Sequence, residues 1–407
     1  MHPSKDIVGS RGRRLAGKKV AFGICGSAAV FRAPELARLL MRMGAEVRVV
    51  MTEMAARLIS PQLLEWATGN EVVCGLTGKI EHVELAQWAD TILIAPATAN
   101  TVGKIAHGID DTAVTSLASV AIGLHKPVIV VPAMHASMYE HPAVRENLER
   151  LRKIGVEIVE PRLEEGKAKF PDPEEVVWRV IRAVTEKDMR GLKVLVTAGP
   201  TVEPIDSIKY ITNPSSGKMG IAFAKAAAAR GADVTLIYGP GTEPVPSGVR
   251  TVRVRTTAEM KEAFDSAVRE GPDIVVVAAA PQDFVVDHPA EGKLRHDREI
   301  VVRLRPAPRV LDGARTSLPS AVLVGFKAEW SVTDEELEAA ARRKLEEQDL
   351  DIVVANDVSR PGSGFRSERN DVIIVTRSGR RKMAADKEEI AWAVLDLALG
   401  ELRLKRG

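Results

Sequence analysis

The chain has 407 residues, too many for one hydrophobic core, so two domains are expected. With 45% hydrophobic and 28% charged residues it has the composition of an ordinary globular protein. A net charge of +2 and an aromatic content of 4% give no reason to expect a nucleic-acid partner. Cys25 and Cys74 are its two cysteines, which excludes a disulfide framework and a thiolate zinc site and favours a reducing compartment, the cytoplasm.

The sequence gives no sign of insertion into a membrane. Its longest apolar stretch, residues 116–134, is interrupted by His125, Lys126 and two prolines. Residues 1–17 carry three arginines but lack the apolar core of a signal peptide. We therefore expect residues 1–17 to form a flexible N-terminal arm and expect no membrane partner.

Short runs rich in Val and Ile alternate with amphipathic stretches, a pattern typical of parallel sheets flanked by helices. The predicted strands of the first half are Val20–Ile24, Val47–Met51, Thr91–Ala95, Val128–Val131 and Val156–Val159. Those of the second half are Val194–Thr197, Val234–Tyr238, Ile274–Ala278, Ala321–Phe326 and Asp351–Ala355. The sequence thus predicts an α/β protein of two Rossmann-like, three-layer domains with mainly parallel sheets.

The two halves begin alike. GKKVAFGICGSAA, a helix and MGAEVRVVMT in the first half correspond to GLKVLVTAGPT, a helix and RGADVTLIYG in the second. We place the boundary near residues 186–191, which gives domains at 18–188 and 189–407. Because ligands in such sheets bind at the carboxyl ends of the strands, the loops at these ends are the candidate sites.

Residues 197–220, TAGPTVEPIDSIKYITNPSSGKMG, lead from an apolar strand into a helix that is predicted to begin near Gly217. Backbone N–H groups at a helix N-terminus hold anions, and Ser216 and Lys218 add a donor and a charge. The segment is not a Walker A loop, because Met219 follows the lysine where Ser or Thr is required. An ordinary connection is the alternative, but the length and polar density favour a phosphate site.

Three loops of the first half follow predicted strands. Gly23–Ser27 lacks the GxGxxG spacing of dinucleotide folds, yet a loop of Gly and Ser could hold one phosphate. Residues 95–100 and 132–139 add backbone and hydroxyl donors. His82 precedes a short predicted helix, where the helix dipole favours the neutral imidazole that a general base needs. A structural histidine is the alternative.

Eight motifs occur along the chain: GSAA (26–29), HVELAQWAD (82–90), APATAN (95–100), PAMHASMYEHP (132–142), TAGPTVEPID (197–206), ITNPSSGKMG (211–220), VGFKAE (324–329) and VVANDV (353–358). With them the chain, from about residue 18 to 398, resembles the fused phosphopantothenoylcysteine decarboxylase / phosphopantothenate–cysteine ligase family of coenzyme A biosynthesis. The resemblance implies a flavodoxin-like flavoprotein domain followed by a ligase domain.

The decarboxylase half of that family binds FMN, whose redox chemistry turns the thiol-bearing carbon into a thioaldehyde that accepts electrons as CO₂ departs, without net redox change. The resemblance places the cofactor at Gly26, Ser27, Pro96, Ala97, Thr98 and Asn100. It assigns His82 as the base, and His135 and Met138 as substrate contacts.

The ligase half of the family activates 4′-phosphopantothenate with CTP, with Mg²⁺ expected on the triphosphate, and forms an acyl-cytidylate and pyrophosphate. Cysteine then displaces CMP. The resemblance assigns Asn213 to the first step and Lys293 to the second. It assigns Lys209, Ser216 and Lys218 to substrate binding, and Asp283, Lys293, Ala307, Pro308, Arg309, Val310, Phe326 and Lys344 to nucleotide binding.

The first half departs from the family pattern at two places. His135 stands where the family has an asparagine that binds the substrate carboxylate, and imidazole can donate a similar hydrogen bond. The flap, residues 161–171, lacks the family cysteine that protonates the reaction intermediate. Lys167, Lys169 or water would then supply the proton.

The second half departs at charged positions. Gln348 and Lys209 stand where the family has a lysine and an arginine, and residues 293–296 read Lys-Leu-Arg-His instead of KxKK. Lys344 lies in a charged helix, residues 335–347, where a solvated position is the alternative to nucleotide binding. Asp283 follows a predicted strand, so a position at the ligand edge is expected independently.

Three functions fit these observations: the fused two-step enzyme, an active ligase joined to an inactive decarboxylase half, and a flavin-binding regulatory protein. The long ligase loop disfavours the third, and the missing GxGxxG disfavours a nicotinamide dehydrogenase. The resemblance also implies a homo-oligomer, with trimers of decarboxylase halves holding flavin at their contacts and dimers of ligase halves, which together could close a dodecamer. The expected small-molecule partners are 4′-phosphopantothenate, cysteine and CTP.

Overall fold

The computed structural model describes residues 2–164, 167–295, 299–364 and 367–406, without the side chains of Leu163 and Lys167. It divides into a first unit, Met1–Thr185, and a second unit, Glu186–Gly407. Each unit contains its own mainly parallel sheet with helices on both faces. None of the described helices is long and apolar enough to span a membrane.

The first unit is built from nine strands and nine α-helices in its described residues. The strands are β1 (Lys19–Ile24), β2 (Glu46–Met51), β3 (Val72–Val73), β4 (Thr91–Ala97), β5 (Val128–Pro132), β6 (Met134–His135), β7 (Glu157–Ile158), β8 (Arg162–Glu164) and β9 (Lys167–Lys169). The helices are α1 (Ala33–Arg42), α2 (Glu53–Leu58), α3 (Pro61–Thr68), α4 (Glu81–Trp88), α5 (Ala99–Ala106), α6 (Ala113–Gly123), α7 (Ala136–Tyr139), α8 (Pro142–Lys153) and α9 (Pro173–Val184).

The main sheet of the first unit has the order β3-β2-β1-β4-β5-β7, and all its pairs are parallel. Alternate residues of β1 enter different cores: Phe22 packs with α1 and α9 on one face, and Ala21 packs with α4 and α6 on the other. The chain leaves β1 toward β2 and later returns on its other side as β4. The carboxyl ends of β1 and β4 therefore form a topological switch point, where such sheets bind ligands.

The N-terminal residues are packed, which corrects the prediction of a flexible arm over residues 1–17. Residues Pro3–Ile7 form a 3₁₀ helix, and Leu15 is completely buried in the core beside α1. The backbone N–H of Leu15 donates to the carbonyl of Met43 (2.8 Å), and that of Gly9 donates to Met41 (3.0 Å). The isolated apolar residues that anchor this segment have no periodicity that the sequence alone would reveal.

The second unit contributes twelve strands and five α-helices to the described part of the chain. The strands are β10 (Lys193–Ala198), β11 (Val202–Pro204), β12 (Tyr210–Thr212), β13 (Asp233–Tyr238), β14 (Arg250–Arg253), β15 (Ile274–Val277), β16 (Phe284–Val286), β17 (Leu304–Pro306), β18 (Val322–Glu329), β19 (Ile352–Asp357), β20 (Arg369–Thr376) and β21 (Arg380–Asp386). The helices are α10 (Lys218–Ala229), α11 (Thr257–Val268), α12 (Ala314–Ser317), α13 (Asp334–Glu347) and α14 (Lys387–Arg406).

The main sheet of the second unit has the order β14-β13-β10-β15-β18-β19-β20-β21. Its first six strands are parallel to one another. β20 pairs antiparallel with β19 on one side and with β21 on the other. The switch point lies between β10 and β15. Two antiparallel hairpins, β11–β12 and β16–β17, stand at the carboxyl edge next to this point.

All ten strands predicted from the sequence are present, with ends displaced by at most three residues. The predicted α/β class with two Rossmann-like domains is confirmed. The sequence did not predict β14, the antiparallel pair β20–β21 or the small hairpins. The segment 197–220 is accordingly not one continuous loop, because β11 and β12 lie within it.

Candidate active sites

Three loops of the first unit meet at its switch point. The backbone N–H of Cys25, after β1, donates to the carbonyl of Pro96 (3.1 Å), which belongs to β4. Ala133, after β5, donates its N–H to Ala97 (3.0 Å), and the hydroxyl of Ser27 donates to the carbonyl of Ala133 (3.0 Å). The three loops predicted as candidate sites therefore form one continuous edge.

The hydroxyl groups of this edge also cap helices. Ser27 Oγ accepts from the N–H of Ala29 (3.3 Å) at the start of a 3₁₀ helix, and Thr98 Oγ1 accepts from Thr101 (3.3 Å) at the start of α5. These bonds satisfy donors that a helix N-terminus leaves free. Asn100 lies exposed in the first turn of α5. Cys25 is fully buried, and burial raises the pKa of its thiol to about 11, so it remains protonated at neutral pH.

A cavity of about 700 Å³ opens beside Ser27. Its described lining consists of Ser27, Ala28, Ala29, Phe31, Arg32, Ala133, Met134, His135, Arg162, Glu164, Ala168, Lys169 and Phe170. One wall is the flap, whose strand β9 pairs with β8 on one side and with β6 on the other, so that His135 lies opposite Lys167. The volume is typical of a small-molecule site, and the two phenylalanines provide surfaces for a flat apolar ring.

Two of the predicted polar groups of the decarboxylase site, His135 and Lys169, line this cavity. His135 is exposed at the cavity, and its Nδ1 faces the N–H (3.3 Å) and the hydroxyl (2.9 Å) of Ser137. Lys169 lines the same cavity and pairs with Glu164 (3.4 Å), whereas the side chain of Lys167 lies outside the described part. Met138 follows in α7 and is exposed.

His82 lies in the first turn of α4, whose buried face packs into the core beneath the β1 loop. Its Nδ1 is buried without a hydrogen-bond partner among the described residues. His82 is also not one of the described residues that line the 700 Å³ cavity. Within one chain, the structure therefore does not bring the predicted base to the predicted substrate contacts.

The loops after β10 and β15 are joined at the second switch point. Ala280 donates its N–H to Gly199 (2.9 Å), and Gln282 donates its N–H to the hydroxyl of Thr201 (2.9 Å). Asn213, which follows β12, donates from Nδ2 to the carbonyl oxygens of Ala280 (3.0 Å) and Pro281 (3.2 Å). These bonds fix the amide plane of Asn213 at the edge where a ligand is expected.

Close packing at the N-terminus of α10 requires glycine at position 217. Its φ of 89° is left-handed, and a Cβ added there would lie 2.7 Å from Cε2 of Tyr238. Ser216 is buried and accepts at Oγ from the N–H of Lys218 (3.4 Å). The ammonium group of Lys218 is paired with Glu368 and lies 4.0 Å from Glu243. The lysine predicted to bind a phosphate thus has two carboxylate neighbours.

The residues predicted to bind the nucleotide lie around the hairpin β16–β17. Asp283 stands at its base, where its carbonyl accepts from the N–H of Ala307 (2.9 Å). Pro308 and Arg309 follow on the exposed side, whereas the side chain of Val310 is buried in the core and can face a ligand only through its backbone.

Lys344 lies over the same region. A Cβ built on Gly325 would be 3.6 Å from its Cε, which places the lysine stem against β18 next to Phe326. Burial lowers the pKa of Lys344, as do the nearby charges of Lys327 and Arg309, while Asp283 opposes this shift. The alternative of a fully solvated Lys344 is therefore wrong. Phe326 itself packs edge-to-face on a core ring, with centroids 5.7 Å apart.

Lys209 and Lys293 lie on two loops that contact each other. Lys209 Nζ is 2.7 Å from Asp206 Oδ2 and donates to the carbonyl of Leu294 (3.2 Å). Lys293, the neighbour of Leu294, is exposed. His296, the last position of the predicted basic element, lies outside the described residues.

Several residues of these sites were not predicted from the sequence. They are Phe31, Arg162 and Phe170 at the first cavity, and Asp206, Glu243 and Glu368 around the ligase loops. Aromatic residues are scarce in this chain, so a phenylalanine in a polar segment such as the flap was the one available signal. Within the described ranges, no group of three or more His, Cys, Asp or Glu could hold a metal ion.

Comparisons with known proteins cover both units. The family model "DNA/pantothenate metabolism flavoprotein C-terminal domain" matches residues 189–401, and the model "Flavoprotein" matches residues 8–185. The chain is 47% identical to the "Coenzyme A biosynthesis bifunctional protein CoaBC" of Thermococcus kodakarensis, over 97% of this chain and 98% of that protein. Proteins of the same description from Methanocaldococcus jannaschii and Escherichia coli K12 are 36% and 35% identical, over 97% and 94% of this chain and 97% and 96% of their own length.

These matches agree with the resemblance inferred from the motifs and extend over nearly the whole chain. They favour the two-step enzyme over the regulatory protein and over a ligase with an inactive partner domain. The chain belongs to the CoaBC family of bifunctional coenzyme A biosynthesis enzymes, with a flavoprotein decarboxylase unit followed by a ligase unit.

Proposed function

We propose that the second unit joins 4′-phosphopantothenate to cysteine with CTP, and that the first unit decarboxylates the product to 4′-phosphopantetheine with FMN. The observation that carries the ligase assignment is the convergence of Asn213, Asp283 and the α13 residue Lys344 around one switch point. A carboxylate reacts poorly with an amine because oxide is a poor leaving group. Attachment of CMP supplies a good one.

We assign each ligase residue the role that the family resemblance implies. Asn213, anchored at the switch point through its Nδ2 donors, acts in the activation of the carboxylate that attacks the nucleotide. Asp283 and Phe326 contact the base, with the backbone of residues 307–310 beside them. Arg309 and Lys344 supply positive charge for the triphosphate, with Mg²⁺ held mainly by phosphate oxygens and water, as is usual for this ion.

The substrate phosphate is assigned to the N-terminus of α10, where Ser216 and Lys218 add donors to the helix N–H groups. Lys209 supports the activated acid, and Lys293 acts in the second step, in which the cysteine amine displaces CMP. Lys293 is exposed at the end of its loop, which is compatible with contact to an incoming second substrate.

The first unit fits a flavin mononucleotide. Its cavity combines Phe31 and Phe170 with the Ser27 loop, and the loops with Gly26 and residues 96–100 meet beside it. When bound, FMN would supply the redox chemistry that creates the electron sink for loss of CO₂. His135 donates to the departing carboxylate, His82 takes a proton from the substrate, and Lys169 or Lys167 of the flap, or water, returns one.

The position of His82 outside the described cavity lining supports a homo-oligomer in which a neighbouring copy completes the site. We propose trimers of the first unit with flavin at their contacts and dimers of the second, which together can close a dodecamer. Two free cysteines are consistent with a place in the reducing cytoplasm.

The test uses the full chain. A flavin absorbance spectrum and release of FMN on denaturation are expected for the purified protein. Supplied with 4′-phosphopantothenate, cysteine, CTP and Mg²⁺, it should form pyrophosphate, CMP, CO₂ and 4′-phosphopantetheine. Accumulation of phosphopantothenoylcysteine alone would mean that the decarboxylase unit is inactive. If neither product formed, the two-step proposal would be wrong, and replacement of CTP by ATP without loss of rate would contradict the nucleotide assignment.

A further inference from the structure

The turn between β11 and β12 holds the loop that carries Lys293. Asp206, in the motif TVEPID of residues 201–206, is 3% exposed and accepts four hydrogen bonds. Its Oδ1 accepts from the N–H groups of Ile208 (2.7 Å) and Lys209 (2.6 Å), which closes the turn. Its Oδ2 accepts from Lys209 Nζ (2.7 Å) and from the N–H of Leu294 (3.0 Å), which lies 88 residues further along the chain.

The next residue of the turn holds the other side of Lys293. Ser207 donates its N–H to the carbonyl of Gly292 (3.1 Å), and its Oγ accepts from the N–H of Gly292 (3.1 Å). Gly292 and Leu294 flank Lys293, so the backbone on both sides of this exposed lysine is bonded to two adjacent residues of one turn.

The same turn leads directly to Asn213. After Lys209 the chain forms β12, pairs with β11 and reaches Asn213 at the switch point. The hairpin therefore connects the residue assigned to acid activation with the lysine assigned to the amine step. The donors around Asp206, with the Lys209 side chain first, hold the pKa of its carboxyl well below its usual range, so it stays ionised and able to accept all four bonds at neutral pH.

We propose that Asp206 is a positioning residue for the ligase reaction. It holds the loop of Lys293 at a fixed position relative to the hairpin that leads to Asn213, so that the cysteine step can follow acid activation. This inference rests on the role proposed above for Lys293. Asp206 does not itself contact the reacting atoms. It acts by fixing the Leu294 amide, and so the path of the loop, because small displacements of a reacting group cost large factors in rate.

Asp206→Asn tests the proposal because it replaces one carboxylate oxygen with a nitrogen and leaves the other oxygen in place. The amide oxygen can keep the two bonds that close the turn, while the amide nitrogen, a donor, then faces the Leu294 N–H and the Lys209 ammonium. Full-chain protein is mixed with CTP and 4′-phosphopantothenate without cysteine, and the pyrophosphate burst is measured. Cysteine is then added, and CMP release is followed.

We expect the variant to keep the amplitude of the pyrophosphate burst and to release CMP about ten- to a hundredfold more slowly. Ser207→Ala, which removes only the acceptor for Gly292, should slow the same step to a smaller degree.

The matched control is Asp351→Asn. Asp351 is also 3% exposed and accepts a backbone bond, from Leu323 (2.8 Å), but it precedes β19 at the opposite edge of the sheet. Its replacement should lower the thermal unfolding temperature without separating the two half-reactions. Equal slowing of both half-reactions by Asp206→Asn, with a reduced burst, would mean a general structural role and would overturn the proposal.

A double variant tests the role proposed for Asp206 separately from the role assigned to Lys293. If Asp206 acts through Lys293, adding Asp206→Asn to Lys293→Ala should slow CMP release no further. Full additivity would overturn the positioning role while leaving Lys293 in place. Normal CMP release by Lys293→Ala alone would contradict the role assigned to Lys293, and with it the coupling proposed here.

Discussion

Lys218 and Glu368 form an ion pair at the N-terminus of α10, at the position where a substrate phosphate is expected to bind. Glu368 is largely exposed, and an exposed pair is worth about 0.2–1 kcal/mol. A bound phosphate must compete with this carboxylate for the lysine. Glu368 thus neutralises the charge of Lys218 until a phosphate, which carries more negative charge than a carboxylate, binds.

Glu368→Gln should therefore lower the KM for 4′-phosphopantothenate, by about two- to fivefold at low salt, with less effect at high salt. Glu388→Gln is the matched control, because Glu388 pairs with Lys225 (3.7 Å) further along the same helix. Steady-state pyrophosphate release measures both. A higher KM for Glu368→Gln would contradict the assignment of Lys218 to the phosphate.

Asn213→Ala should abolish acid activation without affecting decarboxylation. It removes the amide that is anchored on Ala280 and Pro281, and loss of one oriented polar group at a reacting centre costs about a hundredfold or more. Pyrophosphate release from CTP is the measurement for the ligase unit. CO₂ release from supplied phosphopantothenoylcysteine serves as the internal control, and its loss would mean that the change disturbs more than the ligase site.

His82→Asn should have the reciprocal effect, with CO₂ release stopped and pyrophosphate formation intact. Because His82 lies outside the described cavity lining, a trimer would need it from a neighbouring copy. Mixing subunits of His82→Asn with subunits of His135→Ala, after mild dissociation and reassembly, should then restore part of the decarboxylase activity. Absence of any recovery in mixed oligomers would place His82 and His135 of one chain in the same site.

The stability of the second unit should rise between about pH 8 and 10.5 through Lys387. This residue is 6% exposed, and burial, followed by the charge of Lys218, lowers its pKa from 10.5 to about 8. Between these values the unfolded chain binds more protons at this residue than the folded chain does. Its contribution to the free energy of unfolding therefore increases with pH, by at most about 1.4 kcal/mol per pH unit.

Lys387→Met removes this titration. Below pH 8 the wild type carries the full cost of burying the charge, and this cost disappears by pH 10.5, so the wild type should gain stability relative to the variant across that range. Denaturant unfolding at pH 7, 8, 9 and 10 measures the difference. Loss of the bond from Lys387 to the Gly364 carbonyl (2.8 Å) adds a constant offset, so the slope is the informative quantity. A pH-independent difference would contradict the prediction. Lys225→Met is the control, because the Lys225 side chain is 29% exposed and therefore less buried than Lys387.

The sequence revealed the parallel strands because strands buried on both faces are continuous apolar runs, as in IVVV of β15. It did not reveal β21, RRKMAAD, which is largely exposed and is a strand because it pairs with β20. Tertiary pairing decides such segments, not local pattern.

The sites likewise contain features that the local sequence pattern indicates and features that depend on tertiary contacts. Loops at the ends of apolar strands were recognisable, and the structure brings the loops of Ser27, Pro96 and Ala133 together as expected. The contact between Asp206 and Leu294 spans 88 residues of sequence. It involves a backbone amide, so the residue type at position 294 does not indicate it. The partial burial of Lys344 was equally hidden, since its helix is rich in charge and its neighbour Gly325 lies on a different element, β18.

The three-stranded pairing of β6, β9 and β8 ties the flap to His135, the residue proposed to bind the substrate carboxylate. Met134 and His135 belong to the same ladder as Ala168, whose side chain is buried, so the flap cannot lift at this strand without breaking backbone bonds of the binding segment. A one-residue deletion in this strand would shift its register, so that Ala168 would no longer lie opposite Met134 with its side chain buried. The length of this strand is consequently a constraint on protein engineering of the flap.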